Sequence, residues 1–247
     1  MDLGLHDRVY LATGASRGLG FATAAALVAD GARVVVAARN PDSVNDAVKR
    51  LGDRARGLAL DLADPDAASR LVDLALGEFG RLDGALLSVG GPPATSALGA
   101  TDEQWLAAFE SVFLGAVRAV RALVPRLEAG AAIAIVLSTS VKAPIGGLAI
   151  SNGLRPGLAM WAKCLADEVG PRGIRVVGLM PGSVLTDRIR ELTPDRDAQE
   201  RAASTIPLRR LGEPMEFGKV AAFALSPAAS YLTGCVIPVD GGTLRAL

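Results

Sequence analysis

The sequence predicts an α/β protein built on a doubly wound parallel sheet of about seven strands with helices on both faces. Three observations carry this expectation. The chain opens with an apolar strand that runs through Thr13-Gly14-Ala15-Ser16-Arg17-Gly18-Leu19-Gly20 into an Ala-rich apolar helix. Its strand-like runs are apolar throughout rather than alternating, as in strands covered on both faces. Such runs interleave with helical patterns along the whole chain.

In order, the opening strand around Val9–Ala12 is followed by a helix that begins near Gly18 and continues from Phe21 to Ala29, closed by Asp30-Gly31. Arg33–Ala38 is a short, continuously apolar strand, completing a βαβ unit. Further strand-like runs fall at Gly57–Leu60, Gly84–Ser88, Ala131–Ser138, Arg175–Met180 and Cys235–Val239, and helical patterns at about 42–51, 65–79, 102–127, 156–169 and 213–225. Gly90-Gly91-Pro92-Pro93 is irregular, as is the polar stretch from Ser183 to Pro207, with a short helix around Asp195–Ala203. Excursions of this kind beyond strand ends carry the substrate side of α/β sites, so 183–207 reads as a substrate-side loop or lid on one domain spanning 1–247.

Composition narrows the partners. The chain has 247 residues, 50% hydrophobic, with 26 basic and 26 acidic residues. A sizeable core is available, and the balanced charge gives no preference for nucleic acid or an anionic membrane. A small molecule is the expected partner. No apolar run approaches the ~20 residues of a membrane span, and Met1-Asp2-Leu3-Gly4 starts no signal pattern, so a cytoplasmic protein is expected. Cys164 and Cys235 read as small buried side chains. His6 is the single histidine, which argues against histidine catalysis and against a metal site.

The glycine turn has a chemical reading. Three glycines within seven residues let the backbone turn tightly and approach a ligand, while the helix beginning near Gly18 aims its unpaired N–H groups and positive dipole end at the same point. A pyrophosphate fits such a cradle; a strand-to-helix turn with no ligand is the alternative. Arg39 ends the second strand, where an acid would meet a ribose 2′-hydroxyl. A guanidinium there suits a 2′-phosphate, and Arg17 supplies a second positive group, so NADP(H) is favoured over NAD(H). Asp61, ending the third strand, accepts from an adenine amino group or caps the next helix.

Thr13–Gly20, Asp61-Leu62, Pro181-Gly182 with Thr186, Pro207–Pro214 and Tyr231-Leu232-Thr233-Gly234 leading to Val239-Asp240-Gly241-Gly242 together resemble the short-chain dehydrogenases/reductases, in particular the β-ketoacyl-acyl-carrier-protein reductase branch. The resemblance covers the whole chain. It implies a Rossmann-type fold, hydride transfer to or from a nicotinamide, and a cofactor site drawing on Gly14, Ser16, Arg17, Gly18, Leu19, Gly20, Arg39, Asp61, Gly90, Pro181, Gly182 and Thr186. It also implies a homodimer or homotetramer built on the helices near 102–127 and 156–169 and on the last strand. Gly115, Ala116, Ala119, Ala159 and Ala162 either permit close helix approach there or pack on the chain's own sheet.

The catalytic half departs from that pattern. Of the family's Asn, Ser, Tyr and Lys, the serine is present as Ser138, whereas Ser151 and Arg155 stand where the tyrosine and lysine belong and Phe113 where the asparagine belongs. A phenol has a pKa of about 10; an aliphatic hydroxyl is a far weaker acid, and arginine stays protonated. Of the two tyrosines, Tyr10 lies within the first strand and Tyr231 in the segment before the last one, so neither is a natural replacement. Pro156 disfavours helical geometry at Arg155 and suits a first turn, so the helix is expected to start near it. Lys142, in the loop after Ser138, either donates a proton if burial lowers its pKa or is a solvated loop lysine, and Arg155 either binds the cofactor ribose or an anionic substrate or forms a surface ion pair. Two readings follow: an NADP(H)-dependent oxidoreductase on a carbonyl or alcohol using Ser138, Ser151, Arg155 and Lys142, or a catalytically silent NADP(H)-binding sensor or oligomeric partner. A dehydratase or epimerase using the same pocket is a third.

Overall fold

A computed structural model describes residues 2–193 and 195–245. Its strands are β1 (Val9–Thr13), β2 (Arg33–Ala38), β3 (Ala55–Ala59), β4 (Gly84–Leu87), β5 (Ala132–Val136), β6 (Arg175–Pro181) and β7 (Cys235–Val239). They form one sheet in the order β3-β2-β1-β4-β5-β6-β7, every neighbouring pair parallel. The order reverses between β1 and β4, which makes the crevice above those two strand ends the binding position of a doubly wound, Rossmann-type sheet.

The helices are α1 (Gly18–Ala29), α2 (Pro41–Leu51), α3 (Ala67–Phe79), α4 (Asp102–Ala108), α5 (Gly115–Leu123), α6 (Ala149–Val169), α7 (Asp187–Leu192), α8 (Arg196–Thr205) and α9 (Pro214–Leu225). Continuous apolarity of the strands is explained by two cores. Val9 and Leu11 of β1 and Ile133 and Ile135 of β5 face the layer of α3, α5 and α6, while Tyr10, Ala12, Ala132 and Ala134 face α1, α2 and α9. Both faces of the central strands are thus covered, as period-2 alternation of side chains requires, while the edge strands β3 and β7 are only partly buried.

Buried polar groups settle the rest of the frame. Asp83, just before β4, accepts from Arg81 Nε and Nη2 at 2.8 and 2.7 Å, from Arg8 Nη1 at 3.1 Å and from the Val9 amide at 2.9 Å. Arg175 sends its guanidinium under the end of α9, donating to the carbonyls of Ala224, Leu225, Ser226 and Leu232, which satisfies carbonyls that a helix end leaves open. No described helix is long and apolar enough to cross a membrane.

Several expectations are corrected. The helical pattern at 102–127 is not one helix: a π-helical turn at Phe109–Leu114 separates α4 from α5, and a 3-10 turn closes at Val124–Arg126. The helix expected from 156 starts at Ala149, with Pro156 inside it. An interior proline costs roughly 3 kcal/mol. Burial of Ile150, Leu158, Ala159, Ala162, Leu165, Ala166 and Val169 along one face offsets that cost, so tertiary packing overrides local preference. Cys164 is exposed, and Cys235 is half-buried on β7, so neither is a core side chain. Strand β3 begins two residues earlier than expected, because Arg56 lies at the sheet edge with its head on Glu78 at 2.8 Å. Within 183–207 both α7 and α8 form; α8 falls where a short helix is expected, and α7 is additional.

Candidate functional site

The crest of the sheet is organised around a clasp between β1 and β4. Thr13 Oγ1 donates to the Ser88 carbonyl at 2.7 Å and accepts from the Ser88 amide at 2.9 Å. The glycine turn sits directly on this clasp. Gly14 has φ 57° and a Cβ there would meet the Ser88 carbonyl oxygen at 2.7 Å; a Cβ on Gly20 would meet the Gly14 carbonyl oxygen at 2.5 Å. The Ala15 amide bonds Ala37 at 3.1 Å, tying the turn to the end of β2. Helix α1 starts at Gly18 without a side-chain cap and without an acid in its first turn, leaving its N–H groups to an anion.

Around this cradle the structure gathers Gly14, Ser16, Arg17, Gly18, Leu19 and Gly20, with Arg39 exposed just beyond β2 and in no ion pair among the described residues. The Thr186 methyl carbon lies 3.5 Å from where a Gly18 Cβ would sit, so the start of α7 overhangs the turn. Pro181 ends β6, and the Gly182 amide bonds Val239 at 3.0 Å. Two of these residues behave differently from expectation. Asp61 does not cap α3, which starts at Ala67; its Oδ1 accepts from the Ala63 amide at 3.0 Å and closes the local turn. Arg17 is held by Asp187 on α7, Nη1 to Oδ2, at 3.3 Å. Gly90 is exposed beyond β4, and a Cβ on it would meet nothing within 4 Å.

The other half of the crest is formed by β5 and α6. Ser138 leaves β5 and caps the 3-10 turn Thr139–Val141, its Oγ accepting from the Ser140 amide at 3.1 Å. That turn packs against α6. Ser140 is buried and its Oγ has no partner. Ser151 and Arg155 lie one turn apart on the buried face of α6. Arg155 is 4% exposed; Nη1 donates to the Val136 carbonyl at the end of β5, and Nε has no partner. Burial pushes the guanidinium pKa down to about 10, which leaves it charged at neutral pH. The sequence alternative of a surface ion pair for Arg155 is therefore wrong: the side chain points inward.

Lys142 is exposed on the loop, so the burial on which its donor role depended is absent. The loop itself is fixed by a residue that sequence reasoning passed over. Asn152 Oδ1 accepts from the Ile145 amide at 3.1 Å and Nδ2 donates to the Ile145 carbonyl at 2.9 Å. Trp105, Thr95, Ile145 and Asn152 wall a cavity of about 460 Å³ beside this loop. A larger one, about 760 Å³, lies between α8 and the 209–216 segment and includes neither the glycine turn nor Ser138. Phe113 stacks on Phe109, centroids 5.5 Å apart, and its ring edge approaches Gly157 of α6. Neither tyrosine reaches the crest: Tyr10 is buried, its hydroxyl on the Leu225 carbonyl at 3.4 Å and its pKa pushed up to about 12 by burial, and Tyr231 is fully exposed.

Chemically, the crest offers a phosphate cradle at the β1 end and a patch rich in hydroxyl and guanidinium donors at the β5 end. Such a patch holds a carbonyl oxygen and stabilises negative charge growing on it. Ser140 and Asn152 were legible only as neighbours of Ser138 and Ser151; Asp187 only as the residue after Thr186.

Residues 14–243 match the family described as enoyl-(acyl carrier protein) reductase. The chain is 34% identical to an L-rhamnose 1-dehydrogenase (NAD(P)(+)) of Azotobacter vinelandii over 96% of this chain and 97% of the relative. It is 31% identical to a 3-oxoacyl-[acyl-carrier-protein] reductase of Salmonella typhimurium, covering 97% and 98%. Among solved structures, L-sorbose reductase of Gluconobacter frateurii, complexed with NADPH and L-sorbose, superposes with a TM-score of 0.93 at 31% identity over 100% of both chains.

Proposed function

This chain belongs to the short-chain dehydrogenase/reductase family, and on that premise we propose that it is an NADP(H)-dependent oxidoreductase acting on a carbonyl or alcohol with a non-standard catalytic set. The observation that carries the reading is the glycine turn clasped between β1, β2 and β4, with the uncapped start of α1 above it. The cofactor supplies hydride. The residues Gly14, Ser16, Gly18, Leu19 and Gly20 hold its phosphates; Arg17 and Arg39 select the 2′-phosphate; Asp61, Gly90, Pro181, Gly182 and Thr186 complete the crevice.

On the substrate side, Ser138 and Ser151 hydrogen-bond the carbonyl oxygen, and Arg155 makes the site electropositive. Serine does not act as a strong acid there, so the proton comes from water admitted through the loop that carries Lys142. Losing a dedicated acid costs about 10²–10⁴-fold in rate, which makes this a slow catalyst rather than an inert one. Residues 183–207 form the lid of the one domain. Exposed Leu106, Phe109 and Met160 on α4, the π turn and α6 support a homodimer or homotetramer; the small side chains Ala116, Ala119, Ala159 and Ala162 pack inward on the chain's own sheet instead.

A second reading, a silent NADP(H)-binding sensor or oligomeric partner, is favoured by one observation: no phenol reaches the crest. Titration calorimetry with NADPH and NADH tests what the two share. Loss of NADPH absorbance with aldehydes, ketones and 3-oxoacyl thioesters then separates them. Micromolar NADPH binding with slow turnover is expected; absence of NADPH binding overturns both, and binding without turnover leaves the sensor.

A further inference from the structure

Two arginines are buried among the described residues, and they are treated oppositely. Arg175 spends its guanidinium on four carbonyls at the end of α9 and beyond. Arg155, less exposed still, makes one hydrogen bond, from Nη1 to a neutral carbonyl, and no ion pair. A buried charge with neither a counterion nor a full set of hydrogen bonds is costly.

The geometry of the donors that remain is informative. In a guanidinium, Nε–H and one Nη2–H point the same way and form a side-on fork whose spacing matches the two oxygens of a carboxylate. That edge of Arg155 is the one without a partner. On the 3-10 turn that packs against α6, Ser140 Oγ is buried and unpartnered, and Ser151 lies one turn earlier than Arg155 on the same face of α6. No acidic side chain occurs in Ser138–Val169 before Asp167, near the far end of α6. The cofactor's phosphates have their own cradle at the β1 end, so they do not account for this second positive site.

We propose that the substrate of this site carries a carboxylate, held side-on by the Nε/Nη2 edge of Arg155 with a hydroxyl from Ser140 or Ser151, making it an oxo acid or hydroxy acid rather than a neutral ketone or sugar. The inference rests on the oxidoreductase reading above. Nε is closed to water in the free protein, so pairing requires the guanidinium to turn about its side-chain torsions and release the Val136 carbonyl. One hydrogen bond to a neutral carbonyl is thereby exchanged for two to a carboxylate, in which donor and acceptor are both charged.

The test uses the full chain, titrated by calorimetry with acetoacetate and 2-oxobutanoate and with their amides, each with and without saturating NADP+ so that no turnover occurs. The acids are expected to bind about tenfold or more tightly than the amides. Arg155→Met and Arg155→Gln should abolish that preference, Arg155→Lys should keep part of it, and NADP+ affinity should stay within about threefold in all three, since no phosphate contact is removed. Circular dichroism checks folding, and the two neutral variants guard against failure of either. Equal binding of acids and amides, no binding of either acid, or an acid preference that survives in both neutral variants overturns the proposal. Loss of NADP+ affinity in Arg155→Met assigns the guanidinium to the cofactor and overturns it too. Failure of the wild-type protein to bind NADP+ overturns the oxidoreductase reading instead, and the cofactor-free titrations still read the acid preference.

Discussion

Arg17 on the glycine turn and Asp187 on α7 form an ion pair, Nη1 to Oδ2, at 3.3 Å. The residue expected to meet a cofactor phosphate is thus occupied by α7. Both side chains are about half or more exposed, and exposed pairs contribute only about 0.2–1 kcal/mol. A phosphate that draws Arg17 away would displace only a weak partner. Asp187→Asn is expected to tighten NADPH binding by about two- to fivefold, in line with that energy, and to leave NADH nearly unchanged. Fluorescence titration of both cofactors reads this; equal tightening for NADH would show that Arg17 does not discriminate.

Arg39 is exposed beyond β2 and forms no ion pair among the described residues, so its charge is available to a ligand without competition. A charge-assisted hydrogen bond is worth about 1.5–3 kcal/mol. Arg39→Asp should weaken NADPH by roughly 10–100-fold on that basis while NADH gains a ribose partner. The ratio of the two dissociation constants is the measurement.

Gly20 has no space for a side chain, since a Cβ would stand 2.5 Å from the Gly14 carbonyl oxygen. Gly20→Ala must move α1 away from the turn. Overpacking of this kind costs about 1–3 kcal/mol. The expected outcome is a lowered thermal midpoint together with loss of NADPH binding, seen by differential scanning calorimetry and titration on the same sample.

Arg155 carries a buried charge that its single carbonyl partner does not compensate. Replacing such a charge by an apolar side chain of similar length removes its desolvation cost at the loss of one hydrogen bond. Arg155→Met is therefore expected to unfold at higher denaturant concentration than the parent, with an unchanged slope. A lower midpoint would mean that the guanidinium is structural.

Glu216 on α9 accepts both Arg210 Nη1 and Nη2, at 2.7 and 2.6 Å, and the Glu213 amide at 2.8 Å. The Arg210 hydrogen bonds, followed by the amide, pull its pKa from an ordinary 4.5 to about 2. Because the unfolded carboxyl takes its proton first, the unfolded state binds more protons between those values and stability rises with pH across them. The contribution is complete above about 4.5 and disappears as the pH falls toward 2. Thermal midpoints measured from pH 6 to pH 2 should fall more steeply for the parent than for Glu216→Gln; parallel curves would remove the effect.

The glycine turn and the strand ends around it were readable from the chain because their determinants are local. Thr13 to Gly20 are contiguous, and Arg39 follows from where an apolar run ends. The substrate half was not. Pro156 looked like a helix start because local preference says so, yet the apolar face from Ile150 to Val169 carries the helix through it. Phe113 lies on a π turn that period-3.6 reasoning merges into a single helix. Cys164 sits among apolar neighbours in sequence but faces out of α6.

By itself the sequence determined the parallel α/β sheet and the glycine turn at its crest, since periodicity and turn chemistry act over a few residues. Only the tertiary structure decided which polar groups are satisfied. The Thr13–Ser88 clasp joins positions 75 residues apart, the Arg17–Asp187 pair positions 170 apart, and Arg155 meets Val136 across 19. Desolvation and hydrogen-bond satisfaction are sums over everything that surrounds a group in space. An arginine on one face of a helix therefore became a buried, unpaired charge only when β5 and its serine turn closed over it.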